Sequence, residues 1–267
     1  MRTLVHISDV HFGRTEAVIV EQLIDSVRRI GPDLVVVSGD LTQRAKPREF
    51  QAAAAFLRAL PSPQIVVPGN HDVPLYNLYA RLRGFHLYRR YIADDLQPFY
   101  LDSEIAVAGV NTARRMTIKG GRIKRREILR VEQQFCPLPE GIRRILVTHH
   151  PFDLPPDWHS RDLAGHSSRA LTRLLGCGLD LMLAGHMHIS ASGSTAVRLG
   201  VGSRSAMFLQ AGTACSTRGR GEPNSYNVIR LDGESMEIEV LSAGAAGFES
   251  TSVQRFCRSR DGWSPES

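Results

Sequence analysis

Five short apolar runs in this sequence end alike. "TLVHISDVH", "DLVVVSGD", "QIVVPGNHD", "RILVTHH" and "LDLMLAGHMH" each pass from β-branched or leucine-rich residues straight into aspartate, asparagine or histidine. Turn chemistry accounts for part of this: Pro68 fixes φ, Gly69 admits unusual backbone, and Asn70 and Asp72 bond their own main chain. One such ending is a turn and nothing more. Five, all offering groups that hold metals or protons, restrict the chain to folds that bring strand ends together.

The runs alternate with helical patterns. Apolar residues at Val20, Leu23, Ile24 and Val27 predict a helix from about 16 to 30, and a second is expected from about 47 to 60. Strands are also expected at "IAVAGVN" and "AMFLQAG", and "SYNVIRL" and "SMEIEVL" are joined by Asp232-Gly233, a strong hairpin signal. The β-branched runs are continuous, as in strands covered on both faces. The reading is an α/β fold, one domain over 1–267, with a helical excursion over the strand ends at about 75–100 and antiparallel strands late, at about 195–245. In an open α/β sheet, ligands collect where the loops at the strand ends converge.

With 267 residues, 42% of them hydrophobic, the chain can bury a sizeable core. No run approaches the roughly 18 apolar residues of a membrane span. "RTLVHISD" reads as a strand rather than a signal peptide, so a cytoplasmic protein is expected. Cys136, Cys177, Cys215 and Cys257 are scattered, with no CxxC pair, and are expected to be reduced and mostly buried. A formal charge of +6 attracts anions without demanding nucleic acid. The dense basic stretch from Arg114 to Arg126 is read as a solvated loop leading into a helix, in preference to a phosphate-binding arm.

The donor set decides the metal chemistry. Asp9, His11, Asp40, Asn70, a histidine of the His149-His150 pair, His186 and His188 offer carboxylate, imidazole and amide groups and no thiolate. That set suits divalent manganese, iron, zinc or cobalt rather than a structural zinc site. It is too large for one ion and suits two, about 3.5 to 4 Å apart, which can hold a hydroxide and clamp a phosphoryl group during in-line displacement.

The ordered set DxH, GD, GNHD, a histidine after an apolar strand, and GHxH resembles the signature of the calcineurin-like metallophosphoesterases, over about residues 4 to 190. The resemblance implies a two-sheet β-sandwich flanked by helices. It also implies one metal on Asp9, His11 and His188, a second on Asn70, His149 and His186, and Asp40 between them. The choice of His149 over His150 comes from the resemblance alone. By the same route a hydroxide bridging the metals attacks phosphorus, His71 binds the phosphate and protonates the leaving oxygen, and Asp72 orients His71.

Departures within the family narrow the substrate. "GDLTQR" lacks the tyrosine that follows the bridging aspartate in purple acid phosphatases, and His71 stands where the branch acting on UDP-diacylglucosamine usually has arginine. "VPGNHDVP", "HHPF" and "AGTACSTRGRGEPNSYNVIRL" look like the bacterial branch that includes cyclic-nucleotide phosphodiesterases. A small phosphodiester, such as a 3′,5′-cyclic nucleotide, is the expected substrate, with Arg218 and Arg220 as candidate phosphate contacts. A phosphomonoesterase, a nuclease or a non-catalytic scaffold is the alternative. Nucleic acid is not expected as a partner, and a homodimer is compatible with the sequence.

Overall fold

The structure is a computed structural model that describes all residues except 75–80, 116, 118, 200–203, 220, 260, 261 and 267. In chain order the strands are β1 (Arg2–Ile7), β2 (Leu34–Val37), β3 (Gln64–Val66), β4 (Phe99–Leu101), β5 (Ile105–Val110), β6 (Arg143–Thr148), β7 (Leu179–His188), β8 (Ala191–Ser194), β9 (Met207–Gly212), β10 (Ser225–Asp232), β11 (Ser235–Gly244), β12 (Gly247–Ser259) and β13 (Gly262–Pro265). The main helices are α1 (Ala17–Ile30), α2 (Pro47–Ala59), α3 (His86–Tyr91), α4 (Arg125–Phe135) and α5 (Ser167–Gly176).

Two sheets pack face to face, in the orders β13-β12-β11-β10-β1-β2-β3 and β4-β5-β6-β7-β9-β8. Period-two alternation explains why their central runs are apolar throughout. Leu34 and Val36 face the opposite sheet with Ile145, Val147, Leu181 and Leu183. Val35 and Val37 point the other way, into a layer with Leu23 and Val27 of α1 and Phe50 and Phe56 of α2. On the far side Leu146 and Met182 meet Ile128 and Val131 of α4 and Leu171 and Leu174 of α5. Each strand thus fills two cores. Truncating a fully buried leucine such as Leu34 or Leu183 to alanine should cost about 2 to 5 kcal/mol.

β1, β2 and β3 run parallel in one sheet, and β5, β6, β7 and β9 run parallel in the other. The C-terminal ends of β1, β2, β3, β6 and β7 carry the five motif endings. The hairpin at Asp232-Gly233 joins β10 and β11 antiparallel, with Asp232 opposite Ser235. β12 and β13 then widen that sheet beyond the strands legible in the sequence.

Two expectations change here. Cys136 and Cys177, expected apart and reduced, are joined across the C-terminal ends of α4 and α5, whose mutual packing brings their Cα atoms to 4.4 Å. Cys257 is exposed, while Cys215 is buried. The described part of the excursion packs beside α2: Tyr88 of α3 lies edge-on to Phe50 and donates its hydroxyl to the Val66 carbonyl at 3.0 Å. Among the described residues, no helix is long and apolar enough to cross a membrane.

Candidate metal centre

Asp9, His11 and Asp40 follow their strands, Asn70 and His71 lie in a one-turn helix, and His186 and His188 close β7. β1 ends at Ile7, and Asp9 and His11 lie beyond the strand with φ of 52° and 51°. Asp40, His186 and His188 also have positive φ, at 52°, 73° and 60°. Non-glycine residues avoid this region, and each excursion costs on the order of 1 to 3 kcal/mol. Five of the seven described non-glycine residues with positive φ belong to the metal-ligand motifs, so backbone strain is concentrated at this one place.

The side chains converge in two groups. Asp9, His11, Asp40 and His188 form one; His149, His150 and His186 form the other, each with ligand atoms within 4.8 Å of one another. His11 Nε2 and His188 Nε2 face each other at 3.2 Å, and His188 Nε2 lies 3.1 Å from Asp9 Oδ1. His149 Nε2 is 3.1 Å from Asn70 Oδ1. Asp40 reaches both groups: its Oδ2 lies 3.7 Å from His11 Nε2 and its Oδ1 lies 3.4 Å from His149 Nε2.

The surrounding hydrogen bonds aim these donors. His149 Nδ1–H donates to the Ser38 carbonyl at 2.8 Å, and His188 Nδ1–H to the Arg218 carbonyl at 3.1 Å. With Nδ1 so engaged, each ring turns its Nε2 inward, the orientation that outer partners impose on metal-binding imidazoles. Asp9 Oδ2 accepts from Ser8 Oγ at 2.7 Å and from the His186 amide at 2.9 Å. Its other oxygen, Oδ1, is buried and accepts no hydrogen bond. A buried carboxylate oxygen without a donor, beside two imidazole nitrogens, fits a cation, as does the hard and borderline donor set.

His150 differs from His149. Its Nε2–H donates to the Lys119 carbonyl at 3.0 Å, and its Nδ1 accepts from Thr112 Oγ1 at 2.9 Å. Both ring nitrogens are already satisfied by the protein. His6 is a core residue, with Nε2 2.9 Å from Ser38 Oγ.

Burial would raise the Asp9 and Asp40 carboxyls, but the neighbouring histidines, His188 for Asp9 and His149 for Asp40, hold both well below the usual carboxylate range. Burial opposes charge on His149, yet Asp40 pushes its pKa up to about 9. Burial, aided by His149, lowers His186 to about 4. Asp9 and Asp40 are thus held as carboxylates, and their negative field favours positive charge among the surrounding imidazoles.

His71 and Asp72 occupy the one-turn helix Asn70–Asp72. Among the described residues, the Asp72 carboxylate makes no hydrogen bond to the His71 ring. It accepts from the amides of Leu41, Thr42 and Gly69 at 3.2, 2.9 and 2.9 Å, bracing the two strand-end loops, and burial beside Asp40 raises its pKa to about 6. His71 is held by its Nδ1–H, which donates to the Gln43 carbonyl at 2.8 Å. Its Nε2 accepts from Arg218 Nη1 at 3.1 Å. Burial and nearby His11 lower the His71 pKa, although Asp40 opposes them. Arg220 lies outside the described residues.

Asp40, Asn70, His71, His186, His188 and Arg218 open onto a cavity of about 260 Å³ that Lys119 and Arg161 also line. Gln43 and Arg161 carried no sequence signal, being isolated polar residues, whereas Lys119 belongs to the basic stretch that was read as a solvated loop. Glycines allow the close approach: a Cβ on Gly39 would lie 2.7 Å from His149 Nδ1, and one on Gly69 would collide with the Asp40 carboxylate.

Two sheets between helices, with carboxylates and imidazoles gathered at parallel strand ends, define the architecture of a dimetal phosphoesterase. A dimetal phosphatase from Danio rerio superposes over 95% of this chain and 98% of its own, with TM-score 0.69 at 14% identity. A purple acid phosphatase from yellow lupin does so over 94% and 53%, also with TM-score 0.69, at 9% identity. The chain belongs to the calcineurin-like phosphoesterase family, whose model matches residues 2–190.

Two bacterial phosphodiesterases are similar in sequence. The glycerophosphodiester phosphodiesterase GpdQ of Enterobacter lignolyticus is 35% identical over 124 residues, 39% of this chain and 44% of the relative. The 3′,5′-cyclic adenosine monophosphate phosphodiesterase CpdA of Escherichia coli is 25% identical over 162 residues, 58% of this chain and 54% of the relative. The chain thus spans about half the length of the curated relatives it matches.

Proposed function

We propose that this metallophosphoesterase is a phosphodiesterase acting on a small phosphodiester, with a 3′,5′-cyclic nucleotide as the leading candidate. The observation that carries the reading is Asp40, which sends one carboxylate oxygen toward each of two histidine groups. Asp9, His11 and His188 would hold one divalent ion, and Asn70, His149 and His186 the other, with Asp40 shared. Two such ions supply Lewis acidity and a nucleophile derived from water at neutral pH. The names of the two bacterial relatives support a diester.

The chain's own residues do the rest. Arg218 offers its guanidinium to a phosphate oxygen, a charge-assisted contact of the kind arginine favours. In the free protein that guanidinium donates to His71 Nε2, so His71 is a neutral acceptor. An arriving phosphate draws Arg218 toward itself and favours a proton on the freed Nε2. His71 then stands ready to give that proton to the departing oxygen. The Gln43 carbonyl keeps the ring facing the cavity throughout.

A phosphomonoesterase is a second reading, favoured by one observation: Lys119, Arg161 and Arg218 all line the cavity, which suits a dianion. A panel of phosphomonoesters and phosphodiesters, each assayed with added manganese, separates the two. The diester reading requires higher kcat/KM for alkyl and cyclic diesters than for matched monoesters. The reverse order establishes the monoesterase, and absence of turnover on every member establishes a binding scaffold.

A further inference from the structure

The basic stretch that precedes α4 does not simply face solvent. Arg114, Arg115, Lys124 and Arg126 meet Arg83 and Arg89 of the excursion, and Arg130 of α4, around a cleft of about 540 Å³. This cleft shares no lining residue with the cavity at the metal centre. Seven cationic side chains line it against three acidic ones, Asp94, Asp95 and Glu127. Glu127 is already committed, pairing with Arg114 at 2.9 Å and accepting from the Lys124 amide at 2.6 Å. Asp95 lies 3.5 Å from Arg130. Arg89 and Arg126 have no ion-pair partner among the described residues.

A second observation points into the same cleft. His86 Nδ1, Gln97 Oε1 and Arg114 Nε are buried atoms without a hydrogen-bond partner, and all three residues line it. Buried polar groups are ordinarily satisfied, so three orphans on residues beside one cleft call for an explanation, and a polar occupant supplies one. Of these, Arg114 Nε is a donor of the kind an anion's oxygen accepts from.

We infer that this cleft is an anion-binding site for a small molecule of the polyphosphate class, separate from the metal centre. The surplus of cations demands more than one negative charge. The volume falls within the roughly 300 to 1,000 Å³ of small-molecule pockets, whereas a nucleic acid needs an extended basic stripe. Guanidinium groups of both α3 and α4, Arg89, Arg126 and Arg130, line the cleft, so more than one phosphate group can be contacted.

Calorimetric titration of the manganese-loaded full chain tests this. The probes are orthophosphate, inorganic tripolyphosphate and ATP, and the proteins are the parent, Arg89→Ala, Arg126→Ala and Arg218→Ala. The parent should bind tripolyphosphate saturably and more tightly than orthophosphate. Each cleft substitution should weaken that binding by about tenfold, the value of one charge-assisted contact. Arg218→Ala should leave it unchanged. Far-UV circular dichroism and turnover of bis(4-nitrophenyl) phosphate should be preserved in the cleft variants, which keeps the result independent of the metal centre. ATP binding tighter than tripolyphosphate assigns the site to a nucleoside polyphosphate, and equal affinity assigns it to the phosphate chain alone. Loss of binding in Arg218→Ala with retention in the cleft variants overturns the inference, as does equal affinity for orthophosphate and tripolyphosphate. A single-stranded RNA oligomer that outcompetes tripolyphosphate at moderate salt overturns the small-molecule assignment.

Discussion

Arg218 Nη1 stands 3.1 Å from His71 Nε2, so the group proposed to protonate the leaving oxygen is capped by the group proposed to bind the phosphate. The two roles are coupled: neither side chain takes up its task until substrate separates them. Arg218→Ala should raise KM by about tenfold or more through loss of the phosphate contact. It should also raise the apparent pKa of His71 in the free enzyme, since the arginine charge lowers it. A pH profile of kcat/KM measures both, and an unchanged profile removes the coupling.

His71→Ala separates acid catalysis from metal binding. An alkoxide leaving group needs a proton and a nitrophenolate does not, so the about 10²- to 10⁴-fold contribution of a general acid should vanish only for an alkyl diester. Bis(4-nitrophenyl) phosphate should lose far less. Equal losses on both substrates, with metal content intact, would mean that His71 acts on the phosphate alone.

Asp40→Ala removes the carboxylate that touches both histidine groups. Metal analysis should show both ions depleted, and turnover should fall by more than the about 10- to 100-fold that loss of a mere supporting partner costs. Asn70→Ala, which deletes a neutral amide, should retain more metal. Two ions per chain in Asp40→Ala would show that Asp40 does not bridge.

Two glycines give a contrast. Gly69 has ordinary extended backbone, with φ −100° and ψ −176°, so alanine fits its dihedrals, but the new methyl would strike the Asp40 carboxylate and backbone amide. Gly69→Ala should therefore keep its far-UV dichroism and lose metal and activity. Gly31 ends α1 in the left-handed region at φ 60° with open space around it. Gly31→Ala should keep full activity and lose about 1 kcal/mol of stability in denaturant melts.

Proton and metal compete at His149. Its pKa is raised to about 9, so the metal-free protein carries this proton at neutrality, and an incoming ion must displace it. Metal affinity should rise with pH toward about 9, by about tenfold per unit for one proton released. The stability that the protonated imidazole lends the chelated protein is fully present below the unfolded-state value of about 6.5 and is lost as pH rises through about 9. The melting temperatures of loaded and chelated protein should consequently diverge across that window. A constant gap would place the displaced proton elsewhere.

Much of this molecule is written locally in the sequence. Turn residues and apolar runs are short-range signals, so the strand endings were legible, and their order carries the resemblance that implies the sandwich. Arg218 was legible as a candidate, but its partner His71 is 147 positions away and only the tertiary fold reveals the contact. Asp72 took its expected role from the resemblance alone; only the tertiary fold reveals that its carboxylate binds the amides of the loop after β2. Cys136 and Cys177 illustrate the same limit, since their approach depends on how two helices end against each other. β12 was missed because most of its residues are exposed, leaving little alternation of apolar and polar positions to read.

The left-handed turns at Asp9, His11, Asp40, His186 and His188 set backbone preference against side-chain contact. At each of these positions glycine would relieve roughly 1 kcal/mol of backbone strain, but it would also strip out the buried hydrogen bonds and ion pairs that these side chains make.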